Sequence, residues 1–352
     1  MISGTSCDAI DAALVDFGSG IELLAYRQQP LPATLRESLL SGPKLNAGRI
    51  AELDRLLGME FAMTARALLA QTVTRRVAAI GCHGQTIFHR PKPPIGSLQI
   101  GDPSTIAYLT GIRTVADFRA MDIAAGGQGA PLAPAFHAEI FKVAPAAIVN
   151  IGGIANVTLL AANGAVLGYD CGPGNTLLDA WTRRHLRRPF DRDGGWAASG
   201  CVIDSLLSAL LADPYFALPA PKSTGPEYFN LEWLDRVMET TSGSARPEDV
   251  QSTLVELTVR TIAATITGGS DIKAMYICGG GVNNPVLMEA LRRTMPVLPV
   301  SSTAKLGLPP DCVEAAMFAW LAKQRIEGKP ANLPAVTGAE RRVLLGAIYD
   351  PA

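Results

Sequence analysis

Gly4-Thr5-Ser6-Cys7-Asp8-Ala9-Ile10-Asp11 is a run of small and acidic residues between apolar segments, and it reads as a phosphate-holding turn between two strands. Glycine lets a ligand approach the backbone closely, and successive backbone N–H groups in a turn form a concave anion site. Asp8 and Asp11 are candidate ligands for Mg²⁺, which takes a few carboxylates together with phosphate oxygens. A second, differently dressed copy occurs at Asn150-Ile151-Gly152-Gly153-Ile154-Ala155-Asn156-Val157-Thr158, with Gly152, Gly153 and Asn156 as its candidate phosphate contacts. Either turn alone is better read as a plain β-hairpin. Two of them in one chain predict two related halves facing a shared nucleotide.

A chain of 352 residues exceeds what one hydrophobic core usually serves, so two domains with a cleft between them are expected. Lys plus Arg is 31 and Asp plus Glu is 32, a net charge of -1 that gives no electrostatic case for general nucleic-acid binding and favours a small-molecule partner. The six cysteines are scattered without CxxC spacing, which argues against a zinc ribbon or a disulfide framework. Asp8 and Asp11 stand where a signal peptide would need a basic start and an apolar core, so a cytoplasmic location is expected. The stretch from Val143 to Tyr169 holds no charged residue and is long enough to span a bilayer. Asn150, Asn156 and Asn163 with Gly152, Gly153, Gly164 and Gly168 break it into short apolar runs, so it reads as buried strands joined by turns.

Strands are predicted at 12–17, 78–81, 113–118, 146–160 with a turn inside, 166–170 and 275–278. Helical spacing of Leu53, Leu56, Leu57, Phe61 and Leu68 predicts a helix over 49–77, another opens at Asn175 and runs to about Leu186, and 311–325 reads as amphipathic. Asn284 followed by Pro285 marks a cap and a first helical position. The segment Ala124-Ala125-Gly126-Gly127-Gln128-Gly129-Ala130-Pro131 predicts a hinge. Alternating strands and helices in each half give an α/β class.

No GxxxxGK[ST] occurs and no GxGxxG follows a strand, which excludes a P-loop and leaves a Rossmann site unsupported. What remains is two Gly-turn hairpins, Asp170 beside Gly172-Pro173-Gly174-Asn175, and a late strand running into Gly279-Gly280-Gly281-Val282-Asn283. These are the parts of a two-domain actin-like/hexokinase-like ATPase built of duplicated ribonuclease H-like domains around a central cleft. The expected division is 1–140, completed by 336–352, and 141–335. On residue chemistry alone, an ordinary sugar or polyol kinase and an actin-like ATPase acting in filaments or as a chaperone both remain open.

SGTSCDAIDAAL, GCHGQTIFHRP, IGDPSTIAYLTGI, VADFRAMDIAAGGQGAPLAP, NIGGIANVT, YDCGPGNTLLDAW, PKSTGPEYFN and CGGGVNNP occur in order from residue 3 to residue 285. Together they closely resemble the anhydro-N-acetylmuramic acid kinase family of bacterial peptidoglycan recycling. The resemblance implies that ATP, Mg²⁺ and water convert 1,6-anhydro-N-acetylmuramic acid into N-acetylmuramic acid 6-phosphate, and it suggests a homodimer. Carried over by motif, Gly4 through Asp11 would hold ATP phosphates and Mg²⁺, and Gly279, Gly280, Gly281 and Asn283 would lie near the adenosine. Asp170 would be the general base, against the plain reading of a turn carboxylate, and Glu314 a second catalytic carboxylate, against a capping box with Asp311.

Arg119 has a planar fork suited to the lactyl carboxylate of the sugar, the alternative being a salt bridge to Asp117 or Asp122. His83, Gln85 and Thr86, read as a turn, offer groups for sugar hydroxyls, and Gly172 and Asn175 complete the expected sugar contacts. The sequence departs from the family pattern at Cys171, where threonine is usual, at Ala9, where glycine is common, and at Pro226, where arginine often follows the STG turn. Fewer residues precede the first turn than in the family pattern, where they form the body of strand one; a trimmed or misannotated start would leave the first domain without that central sheet element.

Overall fold

Short apolar runs separated by small-residue turns build two α/β units, residues 1–141 with 312–352 and residues 142–311. The computed structural model describes residues 1–351 apart from 5, 6, 19, 41–45, 73–75, 91–95, 221, 242–244 and 268–270.

In the first unit, β1 (Ile2–Ser3), β2 (Ala9–Asp16) and β3 (Glu22–Pro30) form an antiparallel meander, with Ile2 opposite Asp11 and Ser3 opposite Ile10. β5 (Gln85–Arg90) lies parallel to β1, pairing Gln85 with Ser3, and β6 (Gly96–Ile100) closes that sheet. A smaller sheet holds β4 (Ile80–Gly81), β7 (Thr114–Ala116) and β13 (Ala347–Tyr349). The buried Met1 ammonium, donating to Gly81 O at 2.6 Å, and His83 N, donating to Met1 O at 3.0 Å, tie β1 to the end of β4. β1 is two residues long. Next to it an apolar cavity of about 610 Å³ opens between β2 and β4, lined among others by Leu14, Val15, Leu68, Ile80 and Ala322.

In the second unit, the charge-free run folds as three strands joined by turns: β8 (Ala146–Ile151), β9 (Ile154–Leu160) and β10 (Val166–Pro173), all antiparallel. β11 (Met275–Cys278) and β12 (Val300–Ser302) add in parallel beside β8, giving the order β10-β9-β8-β11-β12. Each unit is therefore a meander whose first strand is flanked by a later parallel strand. That is the ribonuclease H-like plan, duplicated here as in actin-like and hexokinase-like ATPases. Among the described residues no helix is long and apolar enough to cross a membrane.

Three local expectations are corrected. The first long helix is Ala47–Leu69, capped by the Asn46 side chain on Arg49 N, and Leu56 lies on its exposed side. The late helix is Val313–Ile326; Ala315, Phe318 and Ala322 are buried along with Val313, Ala316, Met317, Trp320 and Leu321, so its apolar surface is wider than one stripe. It packs on β2, β4, β7 and helix Ala133–Phe141, which places all of 312–352 with the first unit and moves the expected boundary at 335 to 311.

The glycine segment 124–131 is not a hinge, and the chain divides after Phe141. Asp122, fully buried, pins the segment: its Oδ2 accepts from Gly129 N at 2.8 Å and its carbonyl from Gly127 N at 2.9 Å. Its Oδ1 accepts from Asn332 Nδ2 at 2.8 Å and Thr337 Oγ1 at 2.7 Å, and Gln128 N reaches Thr337 O at 2.8 Å. A buried carboxylate is stable only when paired or heavily hydrogen-bonded, and these bonds supply that.

Candidate active site

In the second unit the chemistry gathers at the carboxyl ends of β8, β10 and β11, the end of an α/β sheet where ligands usually bind. The turn after β8 is Gly152-Gly153, and its carbonyls receive the GPGN turn. Gly174 N and Thr176 N donate to Gly153 O at 2.9 and 3.0 Å, and Asn175 N donates to Gly152 O at 2.8 Å. A Cβ on Gly174 would collide with the Gly152 and Gly153 carbonyls, so only glycine allows this contact. Asn175 heads helix Thr176–Leu186 without a side-chain cap bond, because its Nδ2 reaches Ile151 O at 3.1 Å instead.

The loop after β11 closes on the same place. Gly279 has φ +77° and its missing Cβ faces Asn150 and Ile151, so the glycine-rich loop packs directly on the end of β8. Asn284 then caps helix Pro285–Thr294 through Val286 N and Leu287 N, as its sequence suggested. Gly152, Gly153, Asn175, Gly279, Gly280, Gly281 and Asn283 thus belong to three loops, and Gly172 to the last residues of β10, at one end of one sheet.

Asp170 lies on β10 opposite Asn156, which lies opposite Asn150 on β8, so three polar residues form one cross-strand row. Its Oδ2 accepts from Thr224 N at 3.0 Å, its own N–H donates to Lys222 O at 3.1 Å, and its carbonyl accepts from Tyr215 Oη at 2.8 Å. Lys222 Nζ in turn bonds Tyr215 O and Phe216 O, each at 3.1 Å. Burial pushes the Asp170 carboxyl up to about 6, opposed by the Thr224 N–H and assisted by the nearby Glu227 carboxylate. The residue types alone suggested an ordinary aspartate near 3.9. Raised to about 6, the group is still mostly ionised at pH 7 and is a stronger base.

In the first unit, separate sequence candidates come together. Arg119 donates from Nε to His83 Nε2 at 3.1 Å and from Nη1 to Gly129 O at 2.7 Å. Among the described residues it makes no salt bridge to Asp117 or Asp122; burial lowers its pKa to about 10, while Glu314 and then Asp122 hold it up. His83 is buried, and burial ahead of the Arg119 charge holds it well below its usual range, so it is neutral. Its Nε2 accepts from Arg119 and its Nδ1 faces Gly84 O at 3.3 Å, which fixes the proton on Nδ1.

Glu314 is solvent-exposed, yet desolvation by the surrounding protein and then the Asp11 carboxylate raise it, against the pull of Arg119. No capping box forms with Asp311, because the helix begins after Cys312, which makes no side-chain cap bond.

The first turn is shorter than the sequence suggests. Cys7 N closes it on Gly4 O at 3.0 Å, Cys7 has φ +51°, and Ala9, Ile10 and Asp11 already belong to β2. Thr5 and Ser6 lie outside the described residues. Asp8 is exposed beside the turn, whereas the Asp11 carboxylate accepts from Tyr26 Oη and from Gln28 Nε2 at 3.1 Å. Gln85 and Thr86 stand on β5, not on a turn, and they are already engaged. Ser3 Oγ donates to Gln85 Oε1 at 2.7 Å, Gln85 Nε2 to Thr86 O at 3.1 Å, and Gln99 Nε2 to Thr86 Oγ1 at 3.2 Å. Gln85 is buried and Thr86 partly buried, and both already hold hydrogen-bond partners within the sheet. Sequence reasoning missed Thr224, Lys222 and Tyr215, although PKSTG was visible as a motif.

The family model for anhydro-N-acetylmuramic acid kinase matches residues 1–351. The chain belongs to that family. It is 48% identical over 364 residues to the anhydro-N-acetylmuramic acid kinase of Vibrio cholerae, covering 100% of this chain and 97% of the relative. It is 49% identical over 363 residues to that of Xanthomonas campestris, covering 99% and 96%. A solved structure of the activator of 2-hydroxyisocaproyl-CoA dehydratase from Clostridium difficile, with bound ADPNP, aligns at TM-score 0.42 and 12% identity over 92% of this chain and 99% of that one. Membership of this kinase family makes the chain a phosphotransferase and ATP its phosphoryl donor.

Proposed function

We propose that the chain acts in the cytoplasm in peptidoglycan recycling, using water to open the 1,6-anhydro bridge of anhydro-N-acetylmuramic acid while ATP phosphorylates O6. The observation that carries this reading is Asp170, half-buried, its carboxyl pushed up to about 6 by burial and held by Thr224 N–H at Oδ2, which leaves Oδ1 for base duty. Asp170 takes a proton from water as the water oxygen bonds to C1. The C1–O6 bond breaks, its electron pair stays on O6, and O6 attacks the γ-phosphorus as ADP leaves. The proton on Asp170 then passes to solvent. Phosphoryl transfer of this kind is mainly a matter of positioning and charge stabilisation.

The two glycine turns and the 279–283 loop supply backbone groups for ATP, and Arg119 reads the lactyl carboxylate through its remaining guanidinium donors. Mg²⁺ fits the donor set at the first turn, where exposed Asp8 offers a carboxylate and Asp11 lies on the adjoining strand. When bound, Mg²⁺ neutralises charge on the phosphates. We place Glu314 as a second carboxylate acting through Arg119 and Asp11.

The test is ADP release with anhydro-N-acetylmuramic acid against a panel of ordinary hexoses. Turnover confined to the anhydro sugar is expected, and equal turnover of hexoses would refute the substrate. A homodimer is proposed as the assembly, checked by light scattering for twice the 37.1 kDa chain mass.

A further inference from the structure

Thr224 lies beside Asp170 and carries a buried polar atom that nothing among the described residues uses. Its backbone N–H holds Asp170 Oδ2 at 3.0 Å, yet its own Oγ1 is buried with no hydrogen-bond partner among the described residues. A hydroxyl left unpaired in a protein interior is costly and uncommon, and where one persists it calls for a functional explanation. The bond from Asp170 N to Lys222 O keeps residues 222–224 alongside β10, so this hydroxyl is carried by the same segment that fixes the carboxylate. Tyr215 braces both sides of the contact, donating to Asp170 O and accepting at its own carbonyl from Lys222 Nζ.

We infer that Thr224 is a positioning residue for the attacking water. This rests on the reading of Asp170 as the base. One water O–H points to Asp170 and the other to Thr224 Oγ1, which leaves a lone pair aimed at C1. As the water oxygen bonds to C1, its proton goes to Asp170 and the C1–O6 electron pair departs on O6; the second O–H stays on the product as the C1 hydroxyl. Threonine suits the task because its backbone N–H and its hydroxyl act on the carboxylate and the water from one residue, and a β-branched side chain has few rotamers to lose.

Thr224→Val keeps the N–H and the branched shape and removes only the hydroxyl. Its kcat should fall about 10- to 100-fold, the range of one lost hydrogen bond to a reacting group, while KM for sugar and ATP stays within about threefold. The acid limb of the pH profile should remain near 6, because the Thr224 N–H on Asp170 is retained. Thr224→Ser should recover to within about threefold of wild type. In an Asp170→Asn background Thr224→Val should cost nothing further, since the two residues act on one water. Melting temperature should not drop, as no partnered group is lost. Wild-type kcat in Thr224→Val, failure of Thr224→Ser to rescue, or an additive loss in the double variant would overturn the inference. Activity in Asp170→Asn alone would instead overturn the reading of Asp170 as base, so the two failures are distinguishable.

Discussion

Asp170→Asn separates activity from stability in a way that only a strained functional carboxylate does. The amide keeps the shape and still accepts from Thr224 N–H through its oxygen, but it cannot take a proton from water. General-base removal costs about 10²–10⁴ in kcat, with ATP and sugar binding kept. Stability should move the other way. A carboxyl that titrates near 6 in the fold and at the ordinary 3.8 when unfolded is penalised for being ionised, by about 3 kcal/mol as an upper bound before solvent screening. That penalty is absent below the unfolded pKa, grows between about 4 and 6, and is complete above 6. The asparagine variant therefore gains stability over wild type at pH 7–8 and loses the advantage by about pH 4. Wild-type kcat should fall on the acid side with a midpoint near 6, as the carboxylate becomes protonated. Thermal unfolding across pH 4–8, alongside kcat at saturating substrates, reads both quantities. An inactive variant that is less stable than wild type at every pH would show Asp170 to be structural. Near-wild-type kcat would remove it from the chemistry.

Arg119→Ala should lower turnover of the muramic substrate at least about tenfold more than turnover of 1,6-anhydro-N-acetylglucosamine, because only the former offers a carboxylate to the fork. Equal losses in steady-state kinetics on both sugars would refute carboxylate recognition. Asp8→Ala should weaken Mg²⁺-ATP by about tenfold while sparing sugar affinity, and calorimetry showing the reverse would move Asp8 out of the nucleotide site. Asp122→Ala leaves Gly129 N, Asn332 and Thr337 without their acceptor, and should cost about 3 kcal/mol in urea unfolding with faster amide exchange at Gly129. An unchanged urea midpoint would show that the bonds to Asp122 do not hold the glycine segment.

Local signals in the sequence reached far into the second unit. The Gly152-Gly153 hairpin, the strand Met275–Cys278 and the cap of Asn284 before Pro285 are all decided within a few residues, and each forms where the pattern places it. What stayed hidden depends on partners distant in sequence. Nothing near Gly126-Gly127 announces that Asp122 will bond Asn332 and Thr337, so a glycine-rich stretch reads as a hinge when it is a pinned loop. The apolar pattern of Val313–Ile326 says that the helix is buried but not against which sheet, and so the domain boundary was misplaced.

At the site, the family motif singled out Asp170, and residue type singled out Arg119 and His83. The pairing of Arg119 with His83, the raised pKa of Asp170 and the grip of Thr224 come from tertiary packing and could not be read from spacing. Gln85 shows the converse: a polar residue in a plausible motif is used up by Ser3 on the neighbouring strand.

The central claim is that water directed by Asp170 enters at C1 while O6 becomes the phosphoryl acceptor. Reaction in ¹⁸O-water with rapid trapping, ahead of exchange at the anomeric carbon, locates the label by mass spectrometry. The account predicts ¹⁸O on the C1 hydroxyl, none in the transferred phosphate, and the original bridging oxygen retained in the phosphoester. Label in the phosphate, or a phosphorylated product with its anhydro ring intact, would contradict it.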